Sequence, residues 1–309
     1  MKTAALGLPF SRHLRHDCLQ NGSVSPSPVN PMPLSRLILL TLLAMTAFAA
    51  NSVLCRLALK HSAIDPASFT AIRLVSGALM LWLLIRYRRA SHQVDGNWTS
   101  ALALFVYAAA FSFAYVTLPT GAGALLLFGA VQATMILAGL RGGERFTVRQ
   151  GAGLALALAG LIAMMLPGLS APPLNGALLM LAAGIAWGGY SLRGRGVSDP
   201  AAATAGNFLR AAPMALALSA LLLPWLRVDA KGALLAMLSG ALASGLGYVL
   251  WYAALRGLNA TRAATVQLSV PVIAALGGVM FLGEPITLRL TLASGAILGG
   301  IALVLAGRR

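Results

Sequence analysis

From Gly96 to Leu140 the chain runs for 45 residues without one acidic or basic side chain, and from Gln150 to Leu192 for another 43. An α-helix needs about 20 apolar residues to cross about 30 Å of hydrocarbon, so each run is long enough for two crossings. Breakers stand where the division is needed: Pro119-Thr120-Gly121 in the first run, and Gly168 to Asn175, with Pro172 and Pro173, in the second. The same reading gives spans at Leu37–Cys55, Pro66–Ile85, Ala201–Leu223, Gly232–Leu255, Ala263–Leu282 and Leu290–Ala306. The expected fold class is an all-α integral membrane protein with ten transmembrane helices. Composition excludes a soluble globule, since 59% of residues are hydrophobic and 10% charged, against about 25% charged in a soluble domain. Two cysteines exclude a disulfide scaffold.

The formal charge of +16 raises the question of nucleic acid, which the positions of the basic residues answer. With an even number of spans both termini share a side. Placing the N-terminus inside leaves Lys60, Arg227, Lys231 and Arg289 outside, Arg56, Arg73 and Arg210 within spans, and the other sixteen of the 23 Lys and Arg inside. That bias fixes an orientation with both termini cytoplasmic in an inner (plasma) membrane, and the basic residues form no single patch for nucleic acid. Residues 1–33, with a Ser/Pro run from Ser23 and no signal-peptide core, read as a disordered cytoplasmic tail, Met32 being an alternative start.

The second half of the chain repeats the first. Phe48-Ala49-Ala50-Asn51-Ser52 aligns with Trp187-Gly188-Gly189-Tyr190-Ser191, and Asp65-Pro66 with Asp199-Pro200. Phe111 and Tyr115 align with Tyr248 and Tyr252, and Gly143-Glu144 with Gly283-Glu284. The offsets run from 134 to 140 residues, in order along the chain. Two five-span units result, 34–167 and 168–309. Because five is odd, the second enters the bilayer upside down relative to the first. Halves of one fold in opposite orientation can exchange roles as gates around a midplane site, which is the logic of alternating access.

The tract Trp187-Gly188-Gly189-Tyr190, the Arg56 and Arg73 positions, Pro271 in the ninth span and Leu282-Gly283-Glu284-Pro285 together resemble the EamA-type members of the drug/metabolite transporter superfamily over about residues 36–307. The sequence departs from the family pattern at Phe48-Ala49, where Trp-Gly is common, and at Val131, where the ninth span has a proline. The resemblance implies a ten-helix transporter with cytoplasmic termini, often an exporter of amino acids or other small metabolites, aromatic amino-acid exporters included.

Arg73 and Arg210 lie well inside their spans, where a guanidinium costs at least about 2.5 to 3.5 kcal/mol. No acidic side chain lies in any span, so a wet cavity, backbone carbonyls or a substrate carboxylate must compensate them. Arg56, about one turn from its helix end, can snorkel. Tyr107, Phe111 and Tyr115 share one face of the third span, Tyr248, Trp251 and Tyr252 one face of the eighth, and Trp187 and Tyr190 one face of the sixth. Tyr115 and Tyr252 suit an interfacial belt, while the deeper rings suit the wall of a shared cavity. Asn51, Gln132, Asn207 and Gln267 are intramembrane amides able to bond a substrate or a neighbouring helix. The expected substrate-binding residues are therefore Asn51, Arg73, Tyr107, Phe111, Gln132, Trp187, Tyr190, Asn207, Arg210, Tyr248, Trp251 and Gln267, with Pro213 and Pro271 as kinks.

Asp65-Pro66 and Asp199-Pro200 read as N-caps followed by proline, Thr147 with Gln150 as a capping box, and Glu144 and Glu284 as anchors at span ends. The sequence carries no carboxylate pair, metal-ligand cluster or phosphate loop, so an enzyme, a cofactor and a metal are not expected. The expected function is a secondary transporter of small organic metabolites, amino acids first, working outward by alternating access with the bilayer and a small-molecule substrate as partners. A channel-like pore, a non-transporting sensor and a lipid-linked metabolite flippase are the competing classes. Oligomeric state is left open.

Overall fold

The computed structural model describes residues 33–87, 95–142, 147–166, 171–194, 197, 199–258 and 260–306, with the side chains of 260–262 and 264 excepted. The expected tail, apart from Pro33, and the pair Gly143-Glu144 lie outside the described residues. Helices run in chain order as α1 (Leu34–His61), α2 (Pro66–Tyr87), α3 (Trp98–Tyr115), α4 (Thr120–Arg141), α5 (Val148–Met165), α6 (Leu174–Arg193) and α7 (Pro200–Leu221). After them come α8 (Ala230–Leu238), a π-helical segment (Ser239–Leu246), α9 (Gly247–Leu255), α10 (Ala260–Gln267), α11 (Ser269–Leu282) and α12 (Leu288–Ala306). The described residues contain no strand.

Among the described residues, eight helical stretches are long and apolar enough to cross a membrane, α8 through α9 counting as one, Ala230–Leu255, and Thr265–Leu282 as another. The two expected spans outside that set are α6 and α7. At 20 and 22 residues they have the length, but glycines and polar side chains, including Asn207 and Arg210, lower their hydropathy. The outer faces of the bundle are apolar: Leu39, Leu42 and Leu43 on α1, Leu79 and Leu83 on α2, and Met280 and Phe281 on α11 are exposed. Water would penalise such a surface, and a lipid solvent does not. The protein is an integral, multi-pass membrane protein.

Local sequence explains the helix ends. Asp65 Oδ1 accepts from the N–H groups of Ala67 and Ser68 at 2.9 Å, and Asp199 Oδ1 from Ala201 and Ala202 at 3.0 and 3.1 Å, with Pro66 and Pro200 opening the helices where no donor is required. Thr147 and Gln150 form the reciprocal capping box of α5. The two prolines differ. α7 continues unbroken past Pro213, whereas the ninth span is interrupted at Leu268, so Pro271 lies in the first turn of α11, where its missing N–H costs little, rather than in mid-helix.

α2 packs against α7, α4 against α11 and α5 against α12. α3 and α4 pack on α6 as the α8–α9 stretch and α11 pack on α1. Close approach depends on glycine at Gly240, where a Cβ would collide with the Arg73 carbonyl oxygen and Ser76 Oγ, drawing the π segment onto α2. The same holds where Gly153 and Gly300 bring α5 onto α12, whereas Gly295 and Gly299 face open space.

Candidate functional site

A small cavity of about 30 Å³ lies where α1, α3, α4, α6, α10 and the α8–α9 stretch converge. Six expected residues line it: Asn51, Tyr107, Phe111, Trp187, Tyr248 and Gln267. Their spacing explains the convergence, since residues four apart on a helix share a face: Tyr107 and Phe111 on α3 lie 5.5 Å apart between centroids, their rings tilted at 53°. Trp187 of α6 bridges the two stripes, 4.9 Å from Tyr107 and 5.2 Å from Tyr248. The sequence reading missed Phe48, Ser52 and Ser244, which line the same space.

Arg73 stands behind this wall and is 2% exposed. Its guanidinium carbon lies 5.2 Å from the Tyr107 ring centre and 4.9 Å from that of Phe111. Nη2 donates to the Tyr107 hydroxyl at 3.0 Å and Nε to Ser244 Oγ at 3.4 Å, while Nη1 has no hydrogen-bond partner among the described residues. The charge is held by rings and hydroxyls, with no carboxylate against it in any of these contacts. Such a group is costly unless an anion reaches it.

The π segment supplies the hydroxyls. Ser239 and Ser244 are five residues apart, a spacing that a π turn brings close to one side. Ser239 Oγ donates to Asn51 Oδ1 at 2.5 Å, and Asn51 Nδ2 donates to the Tyr107 hydroxyl at 3.3 Å. Asn51, Tyr107, Arg73, Ser239 and Ser244 thus form one polar network joining α1, α2, α3 and the π segment. In an α-helix Ser239 and Ser244 would point apart, so sequence periodicity gives no signal for this network.

The other expected residues fall elsewhere. Arg210 Nη1 donates to the backbone carbonyls of Asp95 at 3.1 Å and Gly206 at 3.0 Å, tying α7 to the start of α3. Asn207 and Tyr190 are buried together, Nδ2 donating to the hydroxyl at 3.3 Å, and line a second cavity nearer the start of α3. Trp251 is buried with its edge toward Phe48 and does not line the central cavity, nor does Gln132, whose buried Nε2 lacks a partner among the described residues. Tyr115 does not sit in an interfacial belt: it is fully buried, its hydroxyl 3.3 Å from the Thr120 carbonyl.

Arg56 does not snorkel. Its Nε pairs with Glu284 Oε1 at 3.2 Å and its Nη1 donates to the carbonyls of Tyr115 and Val116, closing the C-terminus of α3. Glu284 Oε2 in turn accepts from the Thr120 N–H at 2.7 Å, capping α4. Nearby, outside the helices, burial pushes the Asp65 carboxyl up, but hydrogen bonds from Ser68, Arg227 and Ala67 outweigh it and hold the group below its ordinary value.

Comparison with known proteins follows the fold. The profile of the EamA-like transporter family matches residues 35–166 and again 174–306. An uncharacterized protein of Pseudomonas aeruginosa is 61% identical over 267 residues, covering 85% of this chain and 92% of that one. An uncharacterized transporter of Archaeoglobus fulgidus is 39% identical over 69 residues, 22% of this chain and 25% of that one. A crystal structure with 20% sequence identity superposes with a TM-score of 0.64, covering 89% of this chain and 99% of the other, and shows the likeness of fold.

Proposed function

The chain belongs to the EamA-like transporter family, and from that premise we propose that it is a secondary carrier exporting a small solute that joins a carboxylate to an apolar or aromatic body. Amino acids, aromatic ones foremost, are the class that fits. Arg73 carries the reading: a buried guanidinium with one donor unpartnered among the described residues, beside a cavity walled by rings, is complementary to a carboxylate whose side chain stacks on Trp187 and Tyr248. Asn51 and Gln267 supply amide contacts at the cavity wall.

Alternating access is the mechanism, with ten spans forming two inverted five-helix repeats. The helix pairing supports it, because exchanging the first five spans for the last five leaves the principal packed pairs in place, α2 with α7, α4 with α11, α5 with α12, and α3 and α4 on α6 as α9 and α11 on α1. The duplicate family match, one per half, supports it too. The asymmetry of Lys and Arg supports cytoplasmic termini and an inner-membrane location. With no carboxylate in contact with Arg73 among the described residues, the reading is transport without a carboxylate proton relay at the site, as facilitated diffusion or exchange.

The test is flux in proteoliposomes across a panel of zwitterionic, anionic and neutral solutes, with and without solute on the opposite side. Saturable uptake accelerated by trans solute and confined to carboxylate-bearing compounds is the expected result. Flux linear in concentration would make the protein a pore, and saturable uptake of solutes lacking a carboxylate would remove Arg73 as the anchor.

A further inference from the structure

The second cavity, about 60 Å³, has Asp95, Asn97 and Arg193 at its rim and Tyr190, Asn207 and Tyr252 in its wall. Four rings separate it from the central cavity. Trp187, which lines the central cavity, lies stacked on Tyr190, which lines the second, at 5.2 Å between centroids and 21° between planes. Tyr248 and Tyr252 repeat the arrangement at 6.4 Å and 25°. The Trp187–Tyr248 contact at 5.2 Å joins the two stacks into a septum with one face on each cavity.

Both far rings are tethered to one helix. Tyr190 accepts from Asn207 Nδ2, and Thr204 Oγ1 lies 3.3 Å from the Tyr252 hydroxyl while donating its own proton to the Pro200 carbonyl, so Tyr252 is the donor in that pair. Asn207 Oδ1 also accepts from the Asn97 N–H at 3.0 Å, linking the septum to the rim. Both hydroxyls are thus hydrogen-bonded to α7 side chains.

We propose that the second cavity is a separate anteroom for a small zwitterion, divided from the central chamber by the Trp187–Tyr190 and Tyr248–Tyr252 stacks and opened by displacement of α7. Arg193 faces the carboxylate and Asp95 the ammonium group. The assignment of the two cavities to one path rests on the carrier reading; the septum does not.

Single cysteines in the full chain, with Cys18 and Cys55 replaced by alanine, test it without any solute. Ala203→Cys reports the anteroom and Ala243→Cys the central chamber. With the rings intact, sulfonatoethyl methanethiosulfonate modifies Ala243→Cys about tenfold more slowly than Ala203→Cys, because thiol reactivity follows access. Adding Tyr190→Ala and Tyr252→Ala brings the two rates together. Tyr190→Phe with Tyr252→Phe, which keeps ring volume and removes the tethers, raises the Ala243→Cys rate about threefold and serves where the alanine pair does not fold. Equal rates with the rings intact would overturn the septum, and no rise in the phenylalanine pair would overturn its opening through α7. At Ala203→Cys, Arg193→Gln slows the anionic reagent about threefold relative to its trimethylammonium analogue, and Asp95→Asn does the reverse. Unchanged ratios would remove the zwitterion assignment. Loss of carrier behaviour in the flux panel with these labelling results intact would overturn the shared path and leave the septum standing.

Discussion

Arg73 and Arg210 sit at related places on α2 and α7, and those two helices pack against each other, yet their guanidiniums meet different surroundings. Arg210 is satisfied by two backbone carbonyls and holds α7 to the start of α3. Arg73 lies between the rings of Tyr107 and Phe111 with Nη1 unpartnered among the described residues. Arg73 follows the Asp65 cap by about two turns and Arg210 follows the Asp199 cap by about three, so the positions are related without being identical, and the neighbours decide the use of each. A buried charge that local carbonyls satisfy is structural, whereas one that rings and hydroxyls leave incomplete is available to a ligand.

The largest expected effect comes from breaking that contrast directly. Arg73→Gln should lower kcat/KM for a carboxylate solute about 100-fold while Arg210→Gln lowers it by less than about threefold, read in the flux panel. Equal losses would abolish the distinction, and a larger loss at Arg210 would invert it.

The contrast sharpens at Glu284. Glu284→Gln leaves Arg56 without its counter-charge, and the side chains of the pair are 12% and 9% exposed. Unfolding in detergent should become easier by about 3 kcal/mol. Because the double variant Arg56→Gln, Glu284→Gln leaves no unpaired charge, it should recover part of that loss even without the Arg56 contacts to the Tyr115 and Val116 carbonyls, and failure to recover would mean that those contacts or the cap on Thr120 dominate.

The smallest effect is the pH dependence near α2. The Asp65 carboxyl is lowered in the folded protein, so its contribution is present above its unfolded value of about 3.9 and fades as pH falls through the folded one. Thermal unfolding between neutral pH and acid should show that loss, and Asp65→Asn should flatten it. An unchanged profile in the variant would assign the acid sensitivity to other groups.

Much of the helical fold was legible because bilayer thickness imposes one length on every crossing, and the caps at Asp65, Thr147 and Asp199 mark helix starts with side chains that can serve little else at those positions. α6 and α7 were the hard cases for hydropathy because polar residues there point to helix contacts and a cavity rather than lipid. The ring stripes on α3, α6 and α9 were legible from helical periodicity. Ser239 and Ser244 were not, since their common direction exists in π and not in α geometry. Arg56 with Glu284 was hidden for another reason: the partners stand 228 residues apart, and no local pattern encodes a contact at that distance.

The π segment also carries a mechanical consequence. Its turns hold more residues than those of the α-helix that continues it, and the rings of Tyr248 and Tyr252 lie just beyond it. Were Ser239–Leu246 to rewind into α geometry, everything after Leu246 would screw around and along the helix axis, so a register change in eight small or apolar residues would sweep two aromatic side chains across the cavity wall.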